Sequence, residues 1–131
     1  MKYRVMVVDD YPDAAAAVAT LLRLLGHEVR EATSGRAAVE LATSFDPQVG
    51  LIDIGLPDLS GLEVARSIRA HFGQRPLFLA AISGWGQPED RVRAIAAGFD
   101  HHVLKPIDGA IIKRILQLAE TRLSELAASS A

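Results

Sequence analysis

The chain contains no cysteine, which excludes disulfides, thiolate metal sites and thiol nucleophiles in any compartment and leaves oxygen and nitrogen to carry the chemistry. It also lacks an excess of charge of either sign. Fourteen Lys and Arg stand against 16 Asp and Glu, a formal net charge of -2, which offers a polyanion such as nucleic acid no general attraction. Long apolar runs are missing too. None approaches the ~18 residues of a membrane span, and an Asp pair follows Val8 before a signal-peptide h-region forms, so a cytoplasmic location without a membrane partner is expected. There is no internal repeat or linker. Half of the 131 residues are apolar, which suits one globular domain with a single core rather than a disordered chain.

Short β-branched runs alternate with longer segments of helical periodicity, a βαβα pattern that predicts a parallel sheet covered on both faces. The strand candidates are Arg4 to Val8, Glu28 to Ala32, Val49 to Ile52, Leu77 to Ile82 and His102 to Leu104. In the first helix Val18, Leu21, Leu22 and Leu25 recur at i, i+3, i+4 and i+7 as a core-facing stripe, with Gly26 placed to end it. The second helix is expected from about Gly35 to Ser44. The third starts at a Ser60 N-cap with Glu63 three residues on, the spacing of a capping box. The fourth opens at Pro88, with Glu89 and Asp90 in its first turn, and ends before Gly98. The last follows an Asp108 N-cap and carries Ile112, Ile115, Leu116, Ala119, Leu123 and Leu126 along one side. The domain is then expected over residues 1–126, with 127–131 a frayed or disordered Ser/Ala tail.

Parallel strands joined by right-handed crossovers bring their C-terminal ends to one edge, where open α/β sheets bind ligands. Asp9 and Asp10 stand after the first strand, Asp53 after the third, Ser83 after the fourth, and Lys105 with Pro106 after the fifth. Singly, each has an ordinary explanation. Asp9 and Asp10 would complement the first helix N-terminus, Asp53 would be an incidental loop carboxylate, Ser83 and Gly84 a turn, and Lys105 a surface lysine. Together they are harder to dismiss, because three carboxylates on one edge repel and Lys105 offsets them only in part. The site therefore calls for a metal. Oxygen donors of this charge suit Mg²⁺, and a carboxylate beside such an ion, with a lysine and a hydroxyl near, has the equipment for phosphoryl transfer.

Val5-Met6-Val7-Val8-Asp9-Asp10, Leu51-Ile52-Asp53-Ile54-Gly55-Leu56-Pro57, Gly61, Ser83-Gly84 and Lys105-Pro106 resemble, in order and spacing, the signature of response-regulator receiver domains of the CheY-like kind. The resemblance covers nearly the whole chain. It implies a single-domain (βα)5 flavodoxin-like three-layer sandwich with strand order 2-1-3-4-5. It implies Asp53 as phosphoacceptor, with Asp9, Asp10, Asp53 and the Gly55 backbone carbonyl as Mg²⁺ ligands. Ser83 would be the switch hydroxyl, Lys105 the contact to the phosphoryl group, and Lys105-Pro106 a cis bond. The implied role is two-component phosphorelay signalling rather than enzymology. The phosphoryl group would come from a histidine kinase or histidine phosphotransfer protein, and the face of the fourth helix, fifth strand and last helix would read out the switch or form a homodimer.

Some positions depart from the usual pattern. His102 stands where the aromatic switch residue is more often Tyr or Phe. A metal pair of His101 and His102 is disfavoured because adjacent strand residues point to opposite faces. Gly55 and Trp85 occupy places where the family tunes water access to the phosphorylated Asp. Trp85 would either govern phosphoryl lifetime or only pack locally. With no helix-turn-helix or catalytic extension in view, the chain reads as a stand-alone receiver or one excised from a larger protein. The Ser83 to Asp90 and Gly98 to His102 stretches are most similar to receivers of hybrid histidine kinases. The alternatives are a receiver-like docking module that is never phosphorylated and a haloacid-dehalogenase-like Mg²⁺ phosphatase. The phosphatase lacks its D-x-D pattern here, since Ile54 and Gly55 follow Asp53. A dinucleotide-binding module is weaker still without G-x-G-x-x-G.

Overall fold

Strand and helix periodicities alternate along the computed structural model, which describes residues 2–84 and 88–129. In chain order the elements are β1 (Arg4–Val8), α1 (Pro12–Leu24), β2 (Glu28–Ala32), α2 (Gly35–Phe45), β3 (Val49–Asp53), α3 (Gly61–Phe72), β4 (Phe78–Ser83), α4 (Pro88–Ala97), β5 (His101–Leu104) and α5 (Gly109–Ser129). The strands pair in parallel in the order β2-β1-β3-β4-β5. This is the single-domain, flavodoxin-like three-layer sandwich that the resemblance implies.

The strands β3 and β4 are buried along their whole length, as is β1 after Arg4, and their side chains alternate between two apolar layers. Met6, Val8, Ile52 and Leu79 meet α2, α3 and α4 through Ala38, Ala42, Val64, Ile68 and Ala94. On the other face Val5, Val7, Leu51 and Ile82 meet α1 and α5 through Ala15, Ala19, Leu22, Ile112, Ile115 and Ala119. Arg69 of α3 ties the helical layer to the sheet. It donates to the carbonyls of Leu77 at 2.7 Å and Gly98 at 2.9 Å and to Asp100 at 2.7 Å, while Asp100 also accepts the Leu79 N–H at 2.9 Å.

Helix ends follow their capping residues. The Ser34 hydroxyl accepts the Ala37 N–H, Ser60 accepts that of Glu63, and Asp108 accepts that of Ile111. Gly26 has φ +95° and closes α1 in a Schellman arrangement, its N–H on the Arg23 carbonyl and the His27 N–H on that of Leu22.

Three expectations need correction. The α1 stripe is rotated: Ala15, Ala19 and Leu22 are buried, Leu21 and Leu25 are exposed, and Leu24 is 78% exposed. Small alanines let the helix lie close on the sheet, whereas the leucine spacing weighs only large side chains. Asp53 and Ser83 are the last residues of β3 and β4 rather than the first beyond them, because the ladder continues through the pairs Asp53 with Ile82 and Ser83 with Leu104. The fifth strand likewise begins at His101. Helix α5 runs to Ser129, and residues 130 and 131 lie outside the described residues. Among the described residues no helix is long and apolar enough to cross a membrane.

Candidate functional site

The C-terminal ends of β1, β3 and β4 and the loop after β5 converge on one edge of the sheet. Asp9 is held by its backbone, whose N–H donates to the Ala32 carbonyl at 3.1 Å, and its Oδ1 accepts the Tyr11 N–H at 3.0 Å. It therefore does not cap α1, whose N-cap Tyr11 makes no side-chain capping bond. Asp53 is locked at the end of the central strand and accepts the Gly55 N–H on Oδ1 at 2.9 Å. Asp9 and Asp53 are buried, 8% and 6% exposed, and Asp10 is exposed. One carboxylate oxygen from each of Asp9, Asp10 and Asp53 lies within 4.8 Å of the other two.

Lys105 answers this charge. Its Nζ lies 2.8 Å from Asp53 Oδ2 and 3.2 Å from Asp9 Oδ2, and its backbone N–H donates to the Ser83 carbonyl at 2.9 Å. The Lys105-Pro106 bond is cis, as the resemblance implies. Burial pushes the Lys105 pKa down, but hydrogen bonding and attraction to Asp53 and Asp9 outweigh it and hold the ammonium above its ordinary value. Three carboxylates against one ammonium leave the cluster two formal charges negative. A hard cation with a preference for oxygen ligands fits that donor set.

Ser83 sits beside this cluster and is 7% exposed. Its Oγ is 2.7 Å from His102 Nε2, so the hydroxyl and imidazole expected to form the switch are hydrogen-bonded to each other. Burial lowers the His102 pKa; Asp90 opposes the shift and Arg91 adds to it. The neighbouring His101 is also lowered, by burial and then by Arg91 and Arg114, and it lines a separate cavity of about 470 Å³ with Phe78, Ile95, Phe99 and Leu118. Among the described residues the only group of three or more potential metal ligands is Asp9, Asp10 and Asp53.

Gly55 carries no side chain at the approach to Asp53, where a Cβ would touch Asp53 Oδ1 at 3.6 Å. Trp85 lies outside the described residues. A groove of about 510 Å³ runs beside the site between Ala14, Ala17 and Val18 of α1 and Lys105, Pro106 and Ile107. Sequence reasoning missed Asp58. Its carboxylate accepts the N–H groups of Gly35 at 2.8 Å and Arg36 at 3.0 Å, partners more than twenty positions away. No local spacing could have signalled it, although an acidic residue in a Leu-Pro-Asp turn hints at a capping role.

Residues 5–117 match the family model of the response regulator receiver domain. Among curated proteins the chain is similar to the transcriptional regulatory protein PrrA of Mycobacterium tuberculosis, 34% identical over 97% of this chain and 54% of that protein. It is also similar to the regulatory protein AtoC of Escherichia coli, 31% identical over 88% of this chain and 25% of that protein. The chain thus spans between about a quarter and about half of the length of these relatives. Among solved structures, the receiver domain of NarL from Mycobacterium tuberculosis superposes with a TM-score of 0.81 at 33% identity, covering 92% of this chain and 98% of that one. With this fold, this acidic edge and these matches, the chain belongs to the response regulator receiver domain family of two-component signalling.

Proposed function

We propose that Asp53 is the phosphoacceptor, taking a phosphoryl group from a phosphohistidine of a histidine kinase or histidine phosphotransfer protein. The observation that carries this is the placement of the Lys105 ammonium on the Asp53 carboxylate at 2.8 Å within the acidic cluster. In the transfer a carboxylate oxygen of Asp53 forms the new P–O bond as the P–N bond of the donor breaks, and the departing imidazole keeps the bonding electron pair. Lys105, released from shielding Asp53, follows the charge onto the phosphoryl oxygens. Asp9, Asp10, Asp53 and the Gly55 carbonyl would hold Mg²⁺, which when bound supplies positive charge against those oxygens. Ser83 gives up His102 to bond a phosphoryl oxygen, and His102 then repositions on β5.

The freed imidazole passes the change to the face of α4, β5 and α5. Val92, Ile95 and Leu104 are exposed there, which supports a partner or homodimer contact on that face. The chain would work in the cytoplasm, where kinases of this system expose their phosphohistidine. A hybrid histidine kinase is the parent protein that the Ser83 to Asp90 stretch suggests, while the named relatives are a transcriptional regulator and a regulatory protein. Self-catalysed phosphorylation provides the test. Incubation with Mg²⁺ and acetyl phosphate should add one acid-labile phosphate to the wild type and none to Asp53→Asn. Label that persists in the variant would overturn the assignment, and no label in the wild type would favour a docking module.

A further inference from the structure

The loop between β3 and α3 carries both the end of Asp53 and Gly55, and its two ends are pinned by backbone. The Ile54 N–H donates to the Ile82 carbonyl at 2.9 Å, and the Gly61 N–H donates to the Ile54 carbonyl at 2.9 Å. Gly61 is pressed so close that a Cβ would come within 2.5 Å of the Asp53 carbonyl oxygen. The middle of the loop is held differently. Asp58 spends both carboxylate oxygens on the first two N–H groups of α2, those of Gly35 and Arg36, where a helix leaves its donors without intrahelical partners and favours negative charge. Leu59 then packs on Gly35 so tightly that a Cβ there would lie 2.7 Å from the Leu59 Cβ. Helix α2 is a firm anchor, with Ala38, Ala42 and Phe45 buried. Backbone hydrogen bonds from Gly35, then Arg36 and Leu59, hold the Asp58 carboxyl down at about 2, so the clamp stays ionised at any physiological pH.

We propose that Asp58 is a positioning residue for the acidic site: by clamping the β3–α3 loop onto the α2 N-terminus it fixes Gly55 against Asp53 and thereby sets the divalent-cation affinity. This rests on reading Asp9, Asp10, Asp53 and the Gly55 carbonyl as the cation site. The Asp58 carboxylate stands outside the Asp9, Asp10 and Asp53 group and spends its oxygens on α2, so its effect falls on affinity and not on the bond-making step.

The test is a titration of the intact chain with Mg²⁺ alone, followed by calorimetry and by amide exchange. In Asp58→Ala the Mg²⁺ dissociation constant should rise about tenfold, the size typical of losing a supporting interaction around a metal site. The rate of labelling by acetyl phosphate at saturating Mg²⁺ should stay within about twofold, since an affinity effect disappears at saturation. Asp58→Asn, which keeps one acceptor oxygen, should fall between the two proteins. The wild type gives a reading free of folding defects: coupling is reciprocal, so Mg²⁺ should slow exchange at the Gly35 and Arg36 amides. Unchanged Mg²⁺ affinity in Asp58→Ala, with those amides exchanging faster, would overturn the positioning role while leaving the cation site intact. Mg²⁺ affinity that is also unchanged in Asp10→Asn would instead overturn the cation site on which the proposal rests.

Discussion

A single ammonium shared between two buried carboxylates leaves the third, Asp10, without an ion pair among the described residues. Its charge faces those of Asp9 and Asp53 and repels them until a cation arrives. Asp10→Asn should therefore raise the thermal midpoint in chelator by about 2 °C, as a fraction of a kcal/mol does for a chain of this size, and should erase the stabilisation that added Mg²⁺ gives the wild type. Differential scanning fluorimetry with and without Mg²⁺ reads both effects; a midpoint that falls in chelator would contradict the electrostatic argument. Asp9, Asp10, Asp53, Ser83 and Lys105 were legible in the sequence because each ends a β-rich run, and strand ends in a parallel sheet share an edge. The direct bond from Ser83 to His102 was not legible, since it depends on the residue-by-residue register of β5 against β4, which the strand order leaves open. Asp58 escaped notice for the same reason: its partners are close only after the fold forms.

The elements were legible where periodicity or a cap was strong, so that β1 and β2 and the capped starts of α3 and α5 fall where the sequence puts them. The buried face of α1 was not, because Ala15 and Ala19 carry a contact that reads as neutral in any hydrophobic pattern. Close approach matters equally at the start of α3. A Cβ at Gly61 would meet the backbone of both Asp53 and Ile54 at 2.5–2.7 Å, and backbone cannot swing aside as a side chain can. Gly61→Ala should cost about 2–3 kcal/mol by overpacking, measured by urea denaturation, and should weaken Mg²⁺ binding because the displaced atoms belong to the loop that carries Gly55. A cost below about 0.5 kcal/mol, the size of an ordinary surface change, would show that this contact is slack.

Across the whole molecule two pH windows open below neutrality. His27, His101 and His102 all sit below their ordinary value of 6.5, in each case chiefly through burial. The Nδ1 of His27 is further committed as acceptor of the Tyr3 N–H at 3.0 Å. As pH falls through 6.5 the unfolded chain takes up protons that the folded chain refuses, so stability declines from there downward. The Asp58 carboxyl works at the other end. Held at about 2 against an ordinary 3.8, it stabilises the fold above pH 4, and that contribution is lost as pH drops through about 2. Urea midpoints measured from pH 8 to pH 5 should fall, and less steeply in His27→Asn, whose amide oxygen can accept the Tyr3 N–H without titrating; a flat profile in the wild type would contradict the histidine assignment. The parallel topology also makes Asp53 the meeting point of β1, β3, β4 and Lys105. Borohydride reduction of the chain after treatment with Mg²⁺ and acetyl phosphate, followed by peptide mass mapping, asks directly which carboxylate carries the phosphoryl group. Conversion of residue 53 alone to homoserine is the expected result, and conversion at Asp9, Asp10 or Asp58 with Asp53 untouched would contradict it.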